Sequence, residues 1–134
     1  AGRHAEEITY VNCHGTGTAL NDAAEIEALS AVFDAPDMRP VIGSTKGTTG
    51  HLLGSAGAIE TIATVLALQS GMAPVMATTH NPEETGFPLP LAGTPQPLSG
   101  RIAMNNSLGF GGLNASLILE AYDSHDSQGS SPCA

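Results

Sequence analysis

Across the long stretch between Arg39 and Glu83 the chain carries only two formal charges, Lys46 and Glu60. Everything else there is apolar, glycine or neutral polar, so most of it belongs inside a folded core. Lys46 is also the only lysine in the chain. A buried ammonium costs several kcal/mol unless it is paired. The fold therefore either brings Lys46 against Glu60 or leaves Lys46 outside, and a loop rich in glycine and threonine permits the second outcome as well.

Composition supports burial: 13% of residues are charged, against about 25% in an average soluble domain. With 134 residues, 41% of them hydrophobic, the chain suits one ordinary domain with one main core and is not disordered throughout. Four Lys+Arg against thirteen Asp+Glu give a formal charge of −9, which argues against binding nucleic acid through its phosphates. Cys13 in an apolar run and Cys133 among the polar last residues make no disulfide framework and suit a reducing cytoplasm; zinc is not suggested. The first ten residues show no basic-then-apolar leader. Residues 52–69 are the most apolar run, but Gly54, Gly57 and Glu60 interrupt it, and it reads as a buried soluble helix rather than a membrane span.

Residues 8–13, Ile-Thr-Tyr-Val-Asn-Cys, read as a strand running into the Gly15 and Gly17 loop. A helix follows, capped by Asn21 or Asp22, with Glu25 in its first turns and Ile26, Leu29, Val32 and Phe33 at helical spacing before Pro36. Residues 41–45 give a second strand, then a loop holding Lys46 and His51. The apolar helix at about 55–69 has apolar residues nearly all round, which predicts burial on most sides, and Gly71 ends it. Residues 74–79 suggest a short strand. Residues 81–99, with five prolines, are irregular, and residues 101–107 and 114–122 form a hairpin across Gly109, Gly111 and Gly112. The tail from Ser124 onward reads as disordered, leaving residues 1–123 as the domain. The order β-α-β-α-β-β-β predicts an α/β layer with a largely parallel sheet and an antiparallel addition.

In open α/β sheets chemistry sits beyond the carboxyl ends of the strands, where His14, Lys46 and the 106–112 loop all fall. A single histidine is more often structural than catalytic. Two imidazoles at one rim, however, can donate two hydrogen bonds to a developing oxyanion. A metal site of His14, His51 and His80 is the rival reading, without a close-spaced ligand motif behind it. The glycines match neither nucleotide fingerprint, since Leu20 stands where a dinucleotide loop needs glycine and no Gly-Lys-Ser/Thr loop exists. Phe110, within Gly109-Phe110-Gly111-Gly112, is either the aromatic anchor of a hairpin turn or a gate over a pocket.

Taken together, VNCHGTGT (residues 11–18), GSTKGTTGHLLGSAGAIE (43–60) and NSLGFGGLNASL (106–117) resemble the three C-terminal signatures of elongating β-ketoacyl-acyl-carrier-protein synthases, the decarboxylating condensing enzymes with the thiolase fold. The resemblance implies a thiolase-like C-terminal half. It implies His14, Lys46, His51 and Glu60 as catalytic residues: the histidines hold the malonyl thioester and stabilise the enolate, and Lys46, paired with Glu60, supports them. Thr16 and Thr18 resemble the threonines that meet the phosphopantetheine arm. Phe110, with Gly111 beside it, resembles the gating phenylalanine at the acyl pocket. No metal and no resident cofactor are implied, because the phosphopantetheine travels on the acyl carrier protein.

The family's cysteine nucleophile lies in its N-terminal half, and neither Cys13 nor Cys133 matches that motif. The implied partners are thus an acyl carrier protein, an N-terminal ketosynthase half that carries the cysteine, and a second subunit in a homo- or heterodimer. Nucleic acid and membrane are not among them. Asn21 before Asp22 and the Gly-Thr-Gly-Thr form lean toward polyketide or polyene ketosynthases, while Glu60 leans toward the fatty-acid type. A non-catalytic partner resembling the chain-length subunits of polyketide systems is the alternative. Thiolase fits less well, because Asn105-Asn106-Ser107 offers no second catalytic cysteine.

Overall fold

The computed structural model describes residues 1–36, 39–94 and 96–122. Strand β1 (Ile8–Asn12) leads through a glycine loop into α1 (Ala19–Val32), then β2 (Val41–Gly43), the single turn α2 (Lys46–Thr49), α3 (Ala56–Ser70), β3 (Ile102–Leu108) and β4 (Asn114–Glu120). The four strands form one sheet in the order β2-β1-β3-β4. β1 lies in the middle and runs parallel to both neighbours, with Val11 opposite Ile42 on one side and Met104 on the other. β4 returns antiparallel on β3, so the sheet is mostly parallel with an antiparallel edge, as the alternation predicts.

The two faces of β1 separate two cores. Val11 and Cys13 pack with Leu29 of α1, with Phe33 at its end, and with Ile42 and Phe87. On the other face Tyr10 packs with Val41, Ala103 and with Ala67 and Leu68 of α3. Polar pins fix α3 to the sheet at its buried side. Asn12 Nδ2 donates to the Glu60 carbonyl at 3.1 Å and to Thr64 Oγ1 at 3.2 Å, and Asn105 Nδ2 donates to Thr61 Oγ1 at 3.1 Å. Each such bond contributes about 1 kcal/mol, and losing one partner costs more because the other stays buried.

Two expectations are corrected. Residues 74–79 are not a strand: they make a single bridge, Met76 with Leu91, next to another of Met72 with Pro97, and the order of elements is β-α-β-α-α-β-β. Pro74, Pro88, Pro90 and Pro97 supply no N–H, so bonds such as Met76 N–H to the Pro90 carbonyl at 2.8 Å cannot extend into a ladder. The apolar helix α3 is not buried on most sides either. Ala56, Glu60, Thr64, Ala67 and Leu68 face the sheet, while Ile59, Ile62, Val65 and Leu66 are exposed on this chain. Smaller differences concern α1, which begins at Ala19, and Lys46, which opens a helical turn instead of lying in a loop. The tail expected from Ser124 lies outside the described residues.

Candidate functional site

The carboxyl ends of β1, β2 and β3 open on one rim. His14 lies two residues past the end of β1 and is buried. Its backbone turns at Gly15, whose φ of +42° and close approach to Ser44 leave no room for a side chain: an added Cβ would stand 2.5 Å from Ser44 Cβ. His51 comes one residue after the turn of α2 and is exposed. The two rings meet edge to face, with centroids 5.4 Å apart and planes at 84°.

The His51 ring has its orientation set by the backbone. Leu53 N–H donates to His51 Nδ1 at 3.3 Å, so in the neutral ring the proton sits on Nε2. Leu53 has φ +51°, the one positive value outside glycine among the described residues, and its side chain is 69% exposed. No packing rewards that conformation, which costs about 1–2 kcal/mol. At His14, burial first and then the charges of Lys46 and His51 lower the imidazole pKa below the ordinary histidine value, which keeps this ring neutral near pH 7.

Lys46 and Glu60 are brought together as the sparse charge pattern requires. The ammonium and the carboxylate form a buried ion pair between α2 and α3. The pair lies beside the histidines, close enough for the Lys46 charge to act on His14.

Both histidines border an open groove of about 760 Å³, together with Thr16, Thr18 and Phe110. Thr16 and Thr18 share a hydroxyl hydrogen bond of 2.8 Å. Phe110 stands at the groove 93% exposed, on the tight link between β3 and β4. Gly111, at φ +78°, makes that turn and does not line the groove. A second hollow, about 820 Å³ on the flank of α1, is bordered by Cys13, Ile26, Met76 and Leu89 and contains neither histidine. Cys13 is buried there, and burial followed by the Glu25 charge raises its thiol pKa well above the ordinary value, so it stays protonated. Among the described residues no three His, Cys, Asp or Glu side chains are grouped to hold a metal ion, and His80 does not join the pair. No helix among them is long and apolar enough to cross a membrane.

One residue of this site escapes the reading of the sequence. The Glu25 carboxylate is buried and accepts His14 N–H at 2.8 Å, Gly15 N–H at 2.9 Å and Asn106 Nδ2 at 3.4 Å. It holds the turn that carries His14. Its signal was the helical spacing of four residues to Leu29 and eight to Phe33, which puts an acid on the inward face of α1.

Residues 1–80 match the family model described as the beta-ketoacyl synthase, C-terminal domain. The chain belongs to the β-ketoacyl synthase family. Among curated relatives, the mitochondrial 3-oxoacyl-[acyl-carrier-protein] synthase of Arabidopsis thaliana is 44% identical over 124 residues, covering 89% of this chain and 26% of the relative. The 3-oxoacyl-[acyl-carrier-protein] synthase 2 of Vibrio cholerae is 43% identical, covering 90% of this chain and 30% of the relative. The chain thus spans under a third of these two proteins. Among solved structures, a ketosynthase (ApeO) in complex with its chain length factor (ApeC) from Xenorhabdus doucetiae is 40% identical with a TM-score of 0.76, covering 91% of this chain and 30% of that one. The ishigamide ketosynthase/chain length factor gives a TM-score of 0.82 at 32% identity, with coverage of 91% and 30%. The thiolase-like ketosynthase fold expected from the three motifs is therefore the fold of this family's C-terminal part.

Proposed function

We propose that this chain forms the decarboxylating side of a β-ketoacyl-acyl-carrier-protein synthase, which condenses a malonyl thioester with an acyl chain held on a cysteine. The observation that carries the reading is the pair of perpendicular imidazoles at one groove, one kept neutral by burial and one fixed with its proton on Nε2. His14 Nδ1 is buried, so Nε2 is the nitrogen left for a ligand. With the malonyl thioester carbonyl between the two Nε2–H groups, the bond to the carboxylate breaks and carbon dioxide leaves. The electron pair passes into an enolate whose oxygen accepts both hydrogen bonds. Donors preorganised at such an oxyanion contribute about 3–4 kcal/mol each.

The enolate carbon then attacks the acyl thioester. The tetrahedral intermediate expels the cysteine thiolate, and a new carbon–carbon bond remains on the carrier-bound product. Protonated Cys13, buried away from the groove, is not that nucleophile. It comes from an N-terminal portion, on the same polypeptide or another. Lys46 adds positive charge beside His14, and Glu60 holds it in place. Thr16 and Thr18 meet the phosphopantetheine arm of acyl carrier protein, and Phe110, with Gly111 as its hinge, closes over the acyl end.

The exposed apolar face of α3 is where the N-terminal portion and a second subunit pack. Mixing the chain with a ketosynthase N-terminal portion and supplying acyl and malonyl carrier proteins tests the assignment: β-ketoacyl product is expected from the mixture and from neither part alone. The similarity to structures that hold a chain length factor favours one other reading, a non-catalytic partner subunit. A well-formed complex that makes no product would favour that role.

A further inference from the structure

Beyond the two rings, the hydrogen bonds at Glu25 continue outward. Asn106 on β3 is buried and donates through Nδ2 to Glu25 Oε1 at 3.4 Å, while its Oδ1 accepts from Ser116 Oγ at 2.7 Å. Asn106 and Ser116 face each other as a cross-strand pair, inside the link that carries Phe110. An ionised carboxylate only accepts, so Asn106 must point its amide nitrogen at Glu25 and its oxygen at Ser116, and Ser116 must donate. The directions of the whole chain are fixed: from Ser116 to Asn106 to Glu25, where the His14 and Gly15 N–H groups converge on the same carboxylate.

We propose that Asn106 and Ser116 are positioning residues for His14, tying the β3–β4 hairpin and its Phe110 loop to the turn that carries the histidine. The proposal rests on the reading of His14 as an oxyanion donor. A purely structural role would end at the cross-strand pair, as hairpin hydrogen bonds do. Here the amide spends its donor on a different element, at a buried acid, where losing a hydrogen bond is costly. If Asn106 shifts with the hairpin, the carboxylate must follow or lose a donor, and the His14 turn follows the carboxylate. Substrate entering past Phe110 and the donor that stabilises its enolate thereby report to each other.

Amide hydrogen exchange of the full chain, read residue by residue by NMR, tests this without turnover, so failure of the relay and failure of the His14 assignment are separate results. Ser116 lies on the edge strand, where Ser116→Ala leaves the core untouched. The expected result is exchange of the His14 and Gly15 amides about fivefold faster, with the Ala103 and Leu119 amides unchanged and wild-type rates restored in Ser116→Thr. In a Glu25→Gln background the same Ser116→Ala change is expected to add nothing at His14. Unchanged exchange at His14 and Gly15, a uniform rise across β3 and β4, or an undiminished effect in the Glu25→Gln background would each overturn the proposal.

Discussion

Lys46, at the first position of α2, and Glu60, one turn into α3, close a buried ion pair that joins the two elements flanking the histidine rim. Glu60 is almost wholly enclosed, and its second oxygen has no hydrogen-bond partner among the described residues. The arrangement explains why a chain so poor in charge keeps these two in its apolar middle. Removing one partner strands the other. Glu60→Ala is expected to lower stability by about 3–5 kcal/mol, and Lys46→Met together with Glu60→Leu by markedly less. Urea unfolding of the two variants and the wild type measures the difference; equal losses would show that the pair is not coupled.

The lowered pKa of His14 gives stability a direction in pH. Folded His14 resists protonation, while the unfolded chain takes up its proton near the ordinary value of about 6.5. The unfolded state then binds more protons as pH falls through that value, so acid destabilises the fold until the folded pKa is reached, and stability is regained on the way back up. His14→Gln removes this component. Unfolding midpoints between about pH 7 and pH 5 are expected to fall less steeply in the variant than in the wild type.

Leu53 holds a strained backbone whose visible return is the bond to His51 Nδ1. In Leu53→Gly the positive φ costs nothing, which offsets the extra freedom of glycine when unfolded, so stability is expected to hold or rise by up to about 1 kcal/mol. Glycine keeps the backbone N–H, so the bond to His51 Nδ1 and the Nε2 proton of the neutral ring are expected to stay in place. Thermal unfolding and nitrogen-detected NMR of the imidazole read the two outcomes separately, and a large loss of stability would refute the strain argument.

The outer face of α3 presents Ile62 and Leu66, each 57% exposed, in a row of apolar side chains. A hydrophobic dye is expected to bind the isolated chain strongly. Ile62→Lys with Leu66→Lys should abolish most of that binding and prevent association with an N-terminal portion, at a cost to the chain's own stability within about 0.5 kcal/mol. Unchanged dye binding would place the sticky surface elsewhere.

What the sequence made legible follows from how local each signal is. The parallel β-α alternation was readable because strand and helix periods differ over a few residues, and the Lys46–Glu60 pairing because two lone charges in an apolar stretch have few alternatives. The false strand at residues 74–79 had the right residue types, but prolines on the segments beside it, distant in sequence, withhold the ladder donors. The even apolarity of α3 was visible; that one of its faces stays exposed on this chain was not, since periodicity cannot say which neighbour is present. Glu25 was placed in the first turns of its helix, with no partner assigned. Only the fold reveals that its partners are two N–H groups ten and eleven residues earlier.

The central claim, that His14 and His51 together stabilise the enolate of a malonyl thioester, is tested most directly by release of labelled carbon dioxide from malonyl carrier protein. The chain is assembled with a ketosynthase N-terminal portion and compared with the same assembly carrying His14→Ala or His51→Ala. Release by the wild-type assembly, reduced about a hundredfold or more in each variant, is the predicted result. Release that persists undiminished in both variants would contradict the account, because the two imidazoles would then have no part in the step.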